Sequence, residues 1–145
     1  MTRFETSIVI QQPIEKVFAF ATNLDNNARW QTDVLETKQT SKGPFGRGAT
    51  YYCANKFLGK RIETRGFIRD YEPDRYCFYK ITSGDVTGET RFVFEPVDGG
   101  TRFTTSGEID LGFFKLLRSV VARKARKQLE NDLKKLKRIL ENGAL

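Results

Sequence analysis

The sequence predicts an α+β protein with a seven-stranded antiparallel sheet, two short helices between the first and second strands, and one long C-terminal helix. Polar and apolar residues alternate in seven segments, which is typical of half-buried strands. Short loops rich in turn-forming residues separate most of the strands, so neighbouring strands should be antiparallel. Residues 113–141 lack Gly and Pro and carry apolar residues at helical spacing. Because 145 residues is an ordinary domain length, we expect residues 1–145 to form a single domain.

The first strand is predicted over residues 3–10. A short helix begins near Pro13, since Pro is tolerated at the start of a helix, and a second short helix carries Trp30. The second strand is predicted over residues 34–42, and the five that follow are predicted over residues 49–56, 60–71, 75–83, 86–95 and 101–111. The final helix, 113–141, is longer than the sheet is wide, so its basic end at residues 134–138 is expected to overhang the sheet.

The facing of the central strands follows from the pairing expected at their hairpins. Pairing Tyr76 with Phe92 and Phe78 with Thr90 places large apolar groups on the inner face of the sheet. The same alternation points Lys80 inward. It turns four carboxylates outward, which leaves no convincing pair for acid–base catalysis: Glu63, Glu89, Glu95 and Glu108.

Composition excludes several classes of protein. The chain is 39% hydrophobic and 30% charged, as expected of a folded domain, and its lack of His excludes a His-based triad and any His-containing metal site. Cys53 and Cys77 form no CxxC pair, and the expected register separates them by roughly 20 Å, so we predict no disulfide. No apolar run approaches the roughly 18 residues of a membrane span, and no signal-peptide pattern is present, so we expect a cytoplasmic protein.

The net charge of +7 lies in residues 112–145, because the acidic and basic residues before them balance. Such a segment could attract a membrane, an acidic protein or nucleic acid. Basic and aromatic residues do not interleave as they do in RNA-binding sheets, and the Leu stripe of the helix is expected to pack on the sheet. We therefore predict a solvated helix face, with no nucleic-acid partner and no stable membrane association.

Five segments of the chain resemble a known family. They are residues 8–18 (IVIQQPIEKVF), 43–51 (GPFGRGATY), 68–75 (IRDYEPDR), 92–96 (FVFEP) and 99–102 (GGTR). Together with the order of the elements, they resemble the polyketide cyclase/dehydrase-like branch of the START-related (SRPBCC) superfamily, which has the helix-grip fold. The resemblance implies a sheet wrapped around the long C-terminal helix. It specifies the fold rather than the ligand, because the cavity lining varies between members.

The resemblance also implies that the chain binds or carries a small hydrophobic molecule, such as a lipid, between the sheet and the C-terminal helix. The apolar stripe of this helix thins to Ala122 and Ala125, which leaves room for a ligand. The alternative for each aromatic residue of the inner face is a plain core. The predicted ligand-binding residues combine aromatic side chains with positions on the last helix: Trp30, Tyr52, Tyr76, Phe78, Phe92, Phe103, Leu117, Val121 and Ala125.

Two other functions stay open at this point. The chain could be an enzyme resembling the aromatic polyketide cyclases or dehydratases, in which positioning of a reactive chain contributes much of the catalysis. It could also be an interaction module that uses the basic helix. We identify no catalytic residue, expect no metal or cofactor, and expect a monomer or a weak homodimer.

Overall fold

The computed structural model describes residues 2–57, 59–110, 116 and 118–143. A 3-10 turn at Leu24–Asn26 precedes the second helix. The helices are α1 (Ile14–Thr22), α2 (Asn27–Trp30) and α3 (Arg118–Glu141). The strands are β1 (Thr2–Ile10), β2 (Val34–Gln39), β3 (Thr50–Phe57), β4 (Lys60–Glu72), β5 (Tyr76–Gly84), β6 (Thr87–Val97) and β7 (Gly100–Asp110). The predicted start of the last helix at residue 113 lies outside the described residues.

The seven strands form one antiparallel sheet in the order β1-β7-β6-β5-β4-β3-β2. The predicted α+β fold is confirmed, with the two short helices between β1 and β2 and the long helix at the C-terminal end. Short hairpins connect all strands from β3 to β7, and β1 joins the sheet beside β7. Strands β1 and β2 are therefore the two edges.

The solid part of the core lies beneath α1 and the second half of α3. Helix α1 follows Pro13, whose φ of −62° suits the start of a helix, and it buries Phe18 against the sheet. The Phe18 ring lies 5.0 Å from the ring of Phe94, which stacks on Phe103 at 4.7 Å. Such close aromatic contacts fix how α1 sits on the sheet.

The C-terminal half of α3 is anchored to the edge strand β1. The Lys137 Nζ donates a hydrogen bond to the carbonyl oxygen of Val9 at 2.6 Å and pairs with Glu141 Oε2 at 2.7 Å. The same Glu141 oxygen accepts a hydrogen bond from the backbone N–H of Gln11 at 2.7 Å. This i,i+4 pair occupies backbone groups that an edge strand would otherwise leave unpaired.

These contacts show that the predicted overhang of residues 134–138 is wrong. Leu133, Leu136 and Leu140 are at most 1% exposed, so this half of the helix is packed on the protein. The exposed apolar residue of α3 is instead Val120, near its start, with 55% of its surface exposed. Polar and apolar contacts therefore hold the C-terminal end of the helix in place.

The predicted facing of β5 is also wrong. Tyr76 pairs with Val93 and Phe78 with Arg91, one residue away from the expected register. Cys77 and Tyr79 therefore face inward, while Tyr76 and Phe78 stack on each other on the outer face at 4.9 Å. Lys80 has the same parity as this outer pair and is exposed, not inward as expected.

The prediction rested on the β5–β6 hairpin, whose register differs from the expected one by one residue along the whole pair. Because β5 carries apolar residues on both faces, its pattern does not distinguish the two registers. Strands β4 and β5 also pair with two irregularities. The register shifts between Ile68 and Asp70, and it shifts back between Arg65 and Gly66. A bulge of this kind inserts one unpaired residue, so the alternation of faces changes along the strand. In β4, Ile62 and Ile68 face inward as predicted, and both are buried.

Both cysteines are free thiols, which confirms the prediction that no disulfide joins them. Cys53 pairs across the strands with Thr64, and Cys77 pairs with Tyr71. Seven residues of β4 therefore separate the two positions, which corresponds to roughly 23 Å at about 3.3 Å per residue.

Candidate ligand-binding cavity

A cavity of about 270 Å³ lies between the inner face of the sheet and the N-terminal half of α3. Its apolar wall includes Tyr79, Phe92 and Ile109 from the sheet and Val121 from the helix. Polar side chains also reach it. They come from α2, β2, β3, β4 and β6: Asn27, Thr37, Asn55, Thr64 and Thr90. A mostly apolar lining with a few polar groups is typical of small-molecule sites.

The small side chain of Ala125 explains why this space is open. Ala125 and Ile109 line the main cavity and also two adjoining cavities of about 240 and 310 Å³. Ala122 lines the cavity of about 310 Å³. On the other half of the helix, Leu133 and Leu136 fill the equivalent space. The cavities thus lie where the apolar stripe of α3 thins to Ala122 and Ala125 between Val121 and Leu129.

Two tyrosines from neighbouring parts of the sheet form the inner wall of the main cavity. The rings of Tyr51 and Tyr79 meet edge to face at 5.9 Å. The Tyr51 hydroxyl donates a hydrogen bond to the carbonyl oxygen of Lys80 at 3.3 Å, passing over Gly66. A Cβ atom on Gly66 would lie 1.9 Å from that carbonyl oxygen, so only Gly permits this close approach.

Burial keeps the titratable groups of the main cavity protonated. Desolvation raises the pKa of Tyr51 and that of Tyr79 well above the ordinary value for a phenol. Burial likewise raises the pKa of the Cys53 thiol, which donates a hydrogen bond to Asn55 Oδ1 at 2.9 Å. At neutral pH these groups are therefore weak nucleophiles and bases, and the Tyr51 hydroxyl and the Cys53 thiol already donate their one hydrogen within the protein.

The 240 Å³ cavity, which we call the α2 chamber, extends from the main cavity toward Trp30 and Asp132. The Trp30 ring lies 6.0 Å from Phe92 and 6.1 Å from Phe103. Asp132 Oδ1 accepts hydrogen bonds from the backbone N–H and the hydroxyl of Thr32, at 3.0 and 2.8 Å. Desolvation raises the pKa of this carboxyl group above its usual range, although the two hydrogen bonds oppose the shift.

The structure brings some of the predicted residues to these cavities and leaves others elsewhere. Trp30, Phe92, Val121 and Ala125 line them. Phe103 is fully buried in the solid core beneath Trp30. Leu117 lies outside the described residues.

Three predicted residues lie on the outer face, away from the cavities. The Tyr52 hydroxyl donates a hydrogen bond to Glu63 Oε2 at 2.5 Å. The Arg65 guanidinium lies 4.7 Å from the centre of the Tyr52 ring. Tyr76 and Phe78 were placed inward by the wrong register of β5. Their neighbours in sequence, Tyr51 and Tyr79, take the inner positions.

The part of the chain that the structure describes contains no group of three His, Cys, Asp or Glu residues able to hold a metal ion. Among the same residues, no helix is long and apolar enough to cross a membrane.

Comparison with known proteins gives a family and several related folds. The family described as polyketide cyclase / dehydrase and lipid transport matches residues 1–141. The search of curated proteins finds no significant match. TTHA0849 from Thermus thermophilus is 20% identical, with a TM-score of 0.82 and 94% of each chain covered.

Two further structures have the same fold. A START superfamily protein from Mycobacterium smegmatis is 12% identical, with a TM-score of 0.76 over 90% of this chain and 93% of the other. The Aha1 dimer from Colwellia psychrerythraea is 17% identical, with a TM-score of 0.65 and 97% of each chain covered. The family match over nearly the whole sequence, together with this START-like fold, shows that the chain belongs to the polyketide cyclase / dehydrase and lipid transport family.

Proposed function

We propose that this chain binds and carries a small hydrophobic molecule in the cavity between the sheet and α3. The observation that carries the proposal is the open space beneath Ala125, where the apolar stripe of an otherwise well-packed helix narrows to small side chains. Protein interiors are normally filled, so a series of adjoining apolar cavities calls for an occupant. The family description, which includes lipid transport, supports the same function.

The state of the polar groups supports binding rather than base chemistry. Burial raises the pKa of Tyr51, Tyr79 and Cys53, so none of these side chains is a ready base or nucleophile at neutral pH. They remain polar groups with acceptor lone pairs inside an apolar wall. A carrier uses such groups to orient its ligand and requires no proton transfer from them.

The proposal is tested by filling the cavity. We expect the wild-type protein to bind the neutral probe N-phenyl-1-naphthylamine in a saturable way, seen as an increase in its fluorescence. Ala125→Leu should weaken this binding by about tenfold or more, corresponding to ~1.4 kcal/mol, because the larger side chain occupies the shared wall of the cavities.

The matched control is Ala19→Leu, which makes the same change at an exposed position of α1. Both variants should unfold at temperatures close to that of the wild type. Absence of saturable binding by the wild type, or equal binding by Ala125→Leu and Ala19→Leu, would contradict the proposed function.

A further inference from the structure

A row of polar side chains crosses the inner face of the sheet at the main cavity. Thr37, Cys53 and Thr64 occupy paired positions on β2, β3 and β4, so their side chains share one face. Asn55 lies two residues beyond Cys53 on β3 and therefore faces the same way. All four residues line the main cavity. We call them the polar row.

Part of the polar row is paired within the protein, and the rest is free. The Cys53 thiol donates a hydrogen bond to Asn55 Oδ1 at 2.9 Å and contacts Thr37 Oγ1 at 3.5 Å. Among the described residues, nothing forms a hydrogen bond with the amide nitrogen of Asn55 or with the hydroxyl of Thr64. Two donors of the polar row are therefore available to a bound molecule.

The free Thr64 hydroxyl is open to the main cavity, although the residue is only 9% exposed. The side-chain atoms that are both fully enclosed and without a partner belong to other described residues: Thr2, Trp30 and Thr105. The position paired with Thr64 on β5 is Gly84, which has no side chain to cover the hydroxyl. Because a buried polar group without a partner is unfavourable, this hydroxyl indicates a site for a polar atom of the ligand.

The chemistry of the two free groups defines that polar atom. The Asn55 amide nitrogen only donates hydrogen bonds, and the Thr64 hydroxyl can donate to the same kind of atom. The two residues are diagonal neighbours across β3 and β4, with backbones about 7–8 Å apart. Since each hydrogen bond spans about 2.9 Å, an oxygen atom between the two side chains can accept from both. A pure hydrocarbon accepts from neither.

The charge of the lining restricts the oxygen to a neutral group. None of the described residues that line the main cavity carries a charged side chain at neutral pH. A carboxylate at the polar row would lose its hydration without gaining a cationic partner. The arginines of the adjoining 310 Å³ cavity, Arg3, Arg123 and Arg126, are exposed to solvent and do not line the main cavity.

We propose that the polar row binds a neutral carbonyl oxygen of the ligand through hydrogen bonds from Thr64 Oγ1 and Asn55 Nδ2, while the apolar wall of the main cavity encloses the remainder. This inference rests on the proposed function and makes it more specific. The ligand class is a ketone, ester or amide with an apolar body, rather than a hydrocarbon or a fatty acid anion.

The test measures whether the Thr64 hydroxyl distinguishes a ketone from a hydrocarbon. Dissociation constants of butyrophenone and butylbenzene are measured by displacement of N-phenyl-1-naphthylamine. Thr64→Val replaces the hydroxyl by a methyl group with little change of shape. We expect it to weaken binding of butyrophenone about fivefold, the contribution of roughly one hydrogen bond, and to change binding of butylbenzene by less than about twofold.

Three further variants identify the groups responsible. Asn55→Ala removes the second donor and should shift the ratio of the two affinities in the same direction as Thr64→Val. Thr64→Ser keeps the hydroxyl and should retain the wild-type ratio. Thr90→Val is the matched control, because it makes the same change in the main cavity on β6, two strands away from β4. It should also retain the wild-type ratio.

Infrared spectroscopy of butyrophenone labelled with ¹³C at the carbonyl observes the proposed contact directly. A hydrogen bond to the oxygen lowers the stretching frequency of a carbonyl group. The band of the bound ketone should therefore lie at lower wavenumber in the wild type than in Thr64→Val.

The outcomes separate the two proposals. Equal weakening of both probes by Thr64→Val, an equal effect of Thr90→Val on the ratio, or the same carbonyl band in the wild type and Thr64→Val would overturn the assignment of the polar row while leaving the hydrophobic carrier in place. Tighter binding of 4-phenylbutyrate than of butyrophenone at neutral pH would overturn the neutral ligand class. Failure of the wild type to bind any neutral probe would refute the proposed function itself.

Discussion

Replacing Lys137 by Met should destabilise the protein because it disconnects α3 from the edge of the sheet. The ammonium group of Lys137 contacts the carbonyl oxygen of Val9 at 2.6 Å and the Glu141 carboxylate at 2.7 Å. Lys137→Met keeps the apolar stem of the side chain and removes both contacts. The backbone N–H of Gln11 retains its bond to Glu141, so the variant tests the Lys contacts alone.

The magnitude follows from the exposure of the pair. A hydrogen bond to a charged group contributes roughly 1.5–3 kcal/mol when buried, and an exposed i,i+4 ion pair contributes only ~0.3–0.5 kcal/mol. The Lys137 and Glu141 side chains are 35% and 25% exposed, between these limits. We expect Lys137→Met to lower the free energy of unfolding by about 1–2 kcal/mol, or the melting temperature by about 2–8 °C.

The assay is urea unfolding followed by circular dichroism, with Lys134→Met as the control at an exposed position of the same helix. The hydrogen bonds that Glu141 accepts from Lys137 and Gln11 also hold the pKa of its carboxyl group below the ordinary value. The stabilisation from this group is therefore complete above the pKa of an unfolded Glu and is lost as pH falls through the lowered folded pKa. Equal stability of the two Lys variants at pH 7 would refute this account of how α3 is held.

Two other predictions concern the cysteines and the aromatic residues. Burial raises the pKa of Cys77 to about 12, so stability should decrease as pH rises above the ordinary thiol pKa, because the unfolded chain then loses protons that the folded chain keeps. In the folded protein Cys77 should react with a thiol reagent more slowly than the half-buried Cys53, and both should titrate after denaturation without reductant. Phe78→Ala should leave binding of N-phenyl-1-naphthylamine unchanged, since Phe78 lies on the outer face, whereas Phe92→Ala should alter it by changing the cavity wall. A loss of binding in Phe78→Ala alone would contradict the observed register of β5.

The order and boundaries of the elements could be predicted because their signals are local. The alternation of polar and apolar residues and the turn-forming residues place each strand within three residues of its observed ends. The helical spacing also shows that the apolar stripe of α3 narrows at Ala122 and Ala125. The cavity beside Ala125 follows from this thinning, since small side chains on a helix leave space over a sheet.

The facing of β5 could not be predicted from the same signals because the strand is apolar on both sides. Tyr76 and Phe78 alternate with Cys77 and Tyr79, so hydrophobicity does not distinguish the two faces. Lys80, which shares the parity of the outer pair, was the residue that indicated the correct facing. The bulges in β4 and β5 depend on how two strands meet, a property of the pair rather than of either sequence.

The position of α3 along the sheet could not be predicted from the length of the helix. Length predicts that one end extends past the sheet, but not which end. The choice depends on contacts between residues far apart in sequence, such as Lys137 with Val9.

The space beneath Ala125 has a thermodynamic consequence for the empty protein. Side chains do not fill this space, so its walls make fewer van der Waals contacts than the solid core beneath the second half of α3. Leu133, Leu136 and Leu140 are buried in the solid core, whereas Ala122 and Ala125 place little apolar area against the sheet. Occupancy and thermal stability are therefore coupled, so the melting temperature should rise with the concentration of any molecule that fits.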